Sequence, residues 1–122
     1  MRRIAISVAV VIALGGLACS ASPPGAPADA VTRFFAAVES GSCSAMLAEL
    51  GDGYRAELER EGMGCNELID QMRTYPFEAV LDTRVDGRNA AAHLVHTRLR
   101  GRANEVVIRV QAENGQWKIM AL

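Results

Sequence analysis

The sequence has no surplus of either charge: thirteen basic side chains face fourteen acidic ones, for a formal net charge of −1. Contacts to a phosphate backbone need a concentrated basic face, so the balance argues against a nucleic-acid partner. No block of like charge marks an acidic or basic tail. Lysine is almost missing, because twelve of the thirteen bases are arginine, a bias that reads as genome composition before function. Long apolar runs are missing too. The stretch Ile4 to Ala18 is uncharged and apolar over fifteen residues, short of the about 20 that a membrane-spanning helix needs. Two histidines and three widely spaced cysteines do not make a clustered metal site, so no metal or cofactor is expected. What the chain does have is length and apolar content for one small domain: 122 residues, half of them hydrophobic, can close a core.

The N-terminus has the grammar of an export signal. Met1-Arg2-Arg3 supplies the positive start, the run from Ile4 supplies the apolar middle, and small residues follow from Gly15-Gly16. The arginine pair reads as an ordinary positive start rather than a twin-arginine signal. Leu17-Ala18-Cys19 resembles a bacterial lipobox, in which a small residue precedes a cysteine that is diacylated and becomes the new N-terminus. The resemblance implies a signal peptide over residues 1–18, a lipidated Cys19 and a membrane partner through that lipid. Gly16 stands where the lipobox usually has Leu or another aliphatic residue. A second reading stays open, in which the small residues around Cys19 are cut as a soluble secretory signal. Residues 19–28, with three prolines among Ser, Ala and Gly, are expected to form an extended, solvated tether.

Setting Cys19 aside leaves Cys43 and Cys65, an even number in an oxidising compartment, and they are expected to form a disulfide. Cys43 is in phase with Met46, Leu47 and Leu50, and Cys65 with Leu68, Ile69 and Met72. Each thiol therefore lies on the apolar stripe of its own helix.

Beyond the tether, residues 29–122 divide into a helical half and a strand half. Asp29 is placed as the cap of a helix whose apolar positions are Val31, Phe34, Phe35 and Val38, and Gly41 stops it. A second helix is expected from Ser42 or Ser44 through Leu50, a third around Tyr54 and Leu58, and a fourth carrying Leu68, Ile69 and Met72 that ends before Pro76. From Phe77 the period becomes two, with strands near 77–85, 90–99, 104–113 and 116–121 and a hairpin at Asn114-Gly115. Val106, Ile108 and Val110 share one strand face; Glu105, Val107, Arg109 and Gln111 share the other. Helices followed by an antiparallel meander make an α+β domain.

The opening helix DAVTRFFAAVESGSCSAML and the closing strands ENGQWKIMAL resemble the nuclear transport factor 2-like superfamily, in particular its small bacterial lipoprotein members. The resemblance covers about residues 28–122. It implies a cystatin-like cone, in which helices pack on a curved four-stranded antiparallel sheet, and it implies that Trp117 packs against the helices. The superfamily includes isomerases, dehydratases, binding modules and accessory domains, so the fold does not choose among them.

Candidate pocket residues are Tyr54, Asp82, His93 and Trp117. An isomerase of this fold needs a carboxylate base and an acid such as tyrosine converging on an apolar pocket. Asp82 on the first strand, with Tyr54 or Tyr75, is the available pair. The plainer readings are a solvent-facing Asp82, a core ring at Tyr54 and a lip residue at Tyr75. His93 and His96 mimic an H-x-x-H metal pair, but three residues apart on a strand they face opposite sides. Arg98, Arg100, Arg102 and Arg109 are the other candidate cluster, fit for an anionic head group or an acidic partner, unless Glu105 and Glu113 balance them on a solvated sheet face.

No residue is assigned a catalytic role. The sequence reads as a lipid-anchored cell-envelope domain facing outside the cytoplasm, non-enzymatic, that binds a small hydrophobic ligand or an envelope protein. A structural accessory or inhibitor domain and a small isomerase-like or dehydratase-like enzyme are the alternatives. A homodimer through the mixed sheet face is a further expectation.

Overall fold

The computed structural model describes residues 22–122; the expected signal peptide over residues 1–18, Cys19 and the first residues of the expected tether lie outside the described residues. Among the described residues, four helices precede four strands: α1 (Pro27–Ser40), α2 (Cys43–Ala48), α3 (Asp52–Arg60), α4 (Cys65–Arg73), β1 (Phe77–Asp86), β2 (Asn89–Leu99), β3 (Val106–Glu113) and β4 (Gln116–Ala121). No helix among them is long and apolar enough to cross a membrane.

Helix α1 starts two residues before Asp29. Pro27 occupies its first turn, where the missing N–H costs nothing, and the Asp29 carboxylate accepts from the Ala26 N–H at 3.0 Å. The stripe Ala30, Val31, Phe34, Phe35, Ala37 and Val38 is buried. Gly41, at φ +73°, ends the helix, its N–H and that of Ser42 reaching back to Val38 and Ala37 carbonyls. The tether is correspondingly shorter than its composition suggests. Pro23 is buried, and the Trp117 indole N–H donates to the Gly25 carbonyl at 3.1 Å, so this stretch lies against the domain.

Ser42 caps α2 by accepting from the Ala45 N–H. The helix was expected to run through Leu50, but it stops at Ala48. The competing interaction is the edge of β4: Ile119 donates to the Glu49 carbonyl and Gly51 donates to the Ile119 carbonyl, both at 2.8 Å, forming a parallel bridge at Leu50. Backbone groups on a bare sheet edge need partners, and residues 49–51 supply them. Glu113 then accepts from the Asp52 N–H at 3.0 Å, placing a carboxylate at the start of α3.

Cys43 and Cys65 form a disulfide, with Cα atoms 5.8 Å apart, joining the first residues of α2 and α4. A second tie runs beside it. Arg73, at the end of α4, donates to the Val38 and Glu39 carbonyls, satisfying orphan groups at the end of α1.

The strands form one antiparallel sheet in the order β1-β2-β3-β4. The last hairpin turns through Asn114 and Gly115, at φ +53° and +76°, the two left-handed residues a tight hairpin requires. Strand β3 begins at Val106, two residues later than expected. The inner face carries Val95, Thr97, Leu99, Ile108, Val110, Trp117 and Ile119, all buried against the helices. Thr97, the buried polar member, donates to the Val106 carbonyl at 2.7 Å. Helix α1 touches every strand of the sheet.

The disulfide closes a loop with a sequence separation of 22 residues, worth about 3 kcal/mol by the chain-entropy relation. Cys43→Ser is expected to lower the melting temperature by more than about 10 °C, read by circular dichroism; melting equal to the wild type contradicts a stabilising bridge.

Candidate functional site

An open cleft lies where α3 and α4 meet the end of the sheet. It is a cleft of about 380 Å3 whose floor is Phe35, Leu68, Leu99 and Ile108. Gln71, Thr74, Tyr75 and Arg102, all exposed, surround the mouth. The floor is apolar because the stripes of α1 and α4 converge on the inner face of β2 and β3.

Local chain chemistry builds the mouth. Pro76 ends α4, leaving Tyr75 at the lip, and the Pro76 carbonyl accepts from the Arg100 N–H at 2.7 Å. That bond fixes the turn after β2. Gly101 in this turn has φ +90°, and a Cβ there would lie 3.2 Å from the Tyr75 ring. Only glycine combines that backbone with so close an approach. Arg102 follows, its guanidinium carbon 5.3 Å from the Tyr75 ring centroid.

Of the four candidate pocket residues, Tyr54 alone lines the cleft. Its phenol is pushed above its ordinary value, chiefly by burial, with Glu57 and Glu61 adding and a backbone hydrogen bond at Leu122 opposing. It is a neutral hydrogen-bonding group at physiological pH.

Asp82 is elsewhere, and the reason is a bulge. Val80 pairs with Thr97 on the inner face, but a register shift follows, and Asp82 pairs with outward-facing His96. Regular alternation would have kept Val80 and Asp82 on one face; the extra residue turns Asp82 outward. There its carboxylate meets Arg84 Nε at 2.7 Å and accepts from the Thr83 N–H. The Arg84 hydrogen bond holds it below the usual carboxylate range, which makes it a weak base.

His93 faces inward, its ring edge-on to Trp117 with centroids 5.1 Å apart. Leu99 at the cleft lies six positions further along the strand, about 20 Å at strand rise. Trp117 is likewise remote, bound to Gly25. The four candidates do not converge on one pocket.

The arginines disperse as well. Arg109 pairs with Asp86 at 2.9 Å, Arg98 is exposed on the outer sheet face, Arg100 lines a neighbouring groove with Phe77 and Met72, and Arg102 belongs to the cleft. The carboxylates expected to balance them are engaged with other groups: Glu105 meets His96 Nδ1 at 2.8 Å, and Glu113 holds the start of α3. His93 and His96 face opposite sides of the sheet, as their spacing on a strand demands. Among the described residues no three metal-ligating side chains gather.

The sequence places Tyr75 at a lip and Arg102 in a basic cluster, and the fold brings the two together. The signal was present in Pro76 and Gly101, two backbone constraints that bring the end of α4 and the turn after β2 together.

Because the folded phenol resists ionisation, stability tied to Tyr54 is complete below its ordinary pKa of 10.0 and is lost as pH rises toward the higher folded value. The melting temperature is expected to fall more steeply above pH 10 in the wild type than in Tyr54→Phe. Identical slopes contradict the burial effect. No family model matches this chain, and no curated protein or solved structure matches it.

Proposed function

We propose that this chain is a lipid-anchored, extracytoplasmic binding domain of the nuclear transport factor 2-like kind, which takes a small apolar ligand into the cleft beside α4. The observation that carries the reading is the cleft itself. Its volume of about 380 Å3 sits near the lower end of the about 300–1,000 Å3 typical of small-molecule sites. Its floor is apolar side chains of the main core, Gln71, Thr74, Tyr75 and Arg102 stand at the mouth, and the half-buried Tyr54 phenol is the further polar group of the lining.

A non-enzymatic role is supported by the separation of the acid–base candidates. Tyr54 lines the cleft while Asp82 lies outward, ion-paired and held acidic. An acid–base mechanism of that kind needs both within reach of one bound substrate. The disulfide supports the oxidising side of a membrane, since such bonds persist there and are rare in the cytosol. Lipidation of Cys19 rests on the sequence pattern at residues 17–19. The outer sheet face supports a solvated surface more than a dimer: exposed Val107 is set among paired charges, Asp82 with Arg84 and His96 with Glu105.

The test is the native and denatured mass of the protein taken from the membranes of its own host. Expected are added acyl mass at Cys19, a gain of two protons on reduction, and a co-purifying apolar small molecule that is lost in Val106→Trp, which fills the cleft. An unacylated chain in the soluble fraction with an empty cleft contradicts the proposal.

A further inference from the structure

The cleft has one charged side chain in its described lining, and that side chain has no carboxylate partner. Arg102 makes no ion pair among the described residues, as is also true of Arg98 and Arg100, but of these it alone stands at the apolar cleft. Its place is nonetheless fixed. Its backbone N–H donates to the Leu99 carbonyl at 3.2 Å, and its guanidinium rests over the Tyr75 ring. A cation stacked on an aromatic face retains in-plane N–H donors for an anion. Gln71 and Thr74, both neutral, share the mouth with it.

We propose that the ligand of this cleft is a small anionic amphiphile, an apolar body ending in a single carboxylate, with the body over Ile108 and Leu68 and the carboxylate held by Arg102. This rests on the reading of the cleft as a ligand site and adds the ligand's class and orientation. Two features set the orientation. No acidic side chain lines the cleft at the Arg102 side, while Glu57 and Glu61 act on Tyr54 at the α3 side. Negative charge is therefore favoured at Arg102 and disfavoured at Tyr54. A cationic ligand would meet the guanidinium at the mouth and find the Tyr75 face already occupied. A volume of about 380 Å3 suits a one-chain or one-ring body rather than a two-chain lipid.

Two fluorescent dyes with nearly the same body separate the two levels of the reading: anilinonaphthalene sulfonate, whose sulfonate stands in for the carboxylate, and neutral phenylnaphthylamine. Each is titrated into the full chain in detergent-free buffer. The sulfonate is expected to bind about tenfold tighter than the neutral dye, the effect of one charge-assisted hydrogen-bond pair. Arg102→Gln is expected to erase that preference, so that the two dyes bind with the same affinity, while Arg102→Lys keeps most of it. Equal affinities in the wild type, a preference that survives Arg102→Gln, or equal loss of both dyes overturns the anion role. In each of those cases binding of the neutral dye to the wild type leaves the cleft reading standing. If neither dye binds, both readings fall.

Discussion

The structure depends on one helix being buried along its whole apolar stripe. Phe34 has no exposed surface, and α1, which carries it, touches all four strands. Burying a ring of that size contributes about 2 to 3 kcal/mol, a large part of the about 5–15 kcal/mol that holds a domain folded. Phe34 packs edge-on to Phe35, whose ring stacks on Phe77 at 4.9 Å. Three phenylalanines thus join the first helix to the first strand, and they are all the phenylalanines the chain has.

The rest of the helical layer is held to that helix at its end. Arg73 closes the C-terminus of α1 from α4, and the disulfide ties α4 to α2. Helix α4 packs by only two buried side chains, Leu68 and Ile69, so covalent and capping ties matter more here than for α1. With α4 fixed at both ends, its inner face and the sheet leave the cleft between them. The opening is a consequence of short helices on a long sheet: a six-residue α2 and two nine-residue helices cannot cover what an eleven-residue β2 offers.

Elements with a local cause were legible in the sequence. The stripe of α1, the Gly41 stop, the Asn114-Gly115 hairpin and the inward phase of Cys43 and Cys65 all follow from periodicity and turn chemistry. Features with a distant cause were not. Helix α2 stops at Ala48 because β4 takes residues 49–51 as edge partners, and nothing near residue 50 announces β4. Asp82 turns outward because of a bulge, which shifts the face of every residue after it without changing composition. Tyr54, Asp82, His93 and Trp117, chosen by side-chain chemistry and resemblance, accordingly lie on different faces or at different ends of the sheet. Tyr75 and Arg102 meet through a turn whose glycine, Gly101, lies close against the Tyr75 ring, a contact that turn chemistry alone does not announce.

The account reduces to a claim about place: apolar ligands enter beside α4 and not elsewhere. Methyl chemical-shift mapping with neutral phenylnaphthylamine tests it most directly. The account predicts perturbations concentrated at Leu58, Leu68, Leu99, Ile108 and Leu122, which line the cleft. Perturbations centred instead on Val85 and Val95, toward the β1–β2 hairpin, or no perturbation at saturating dye, would contradict it.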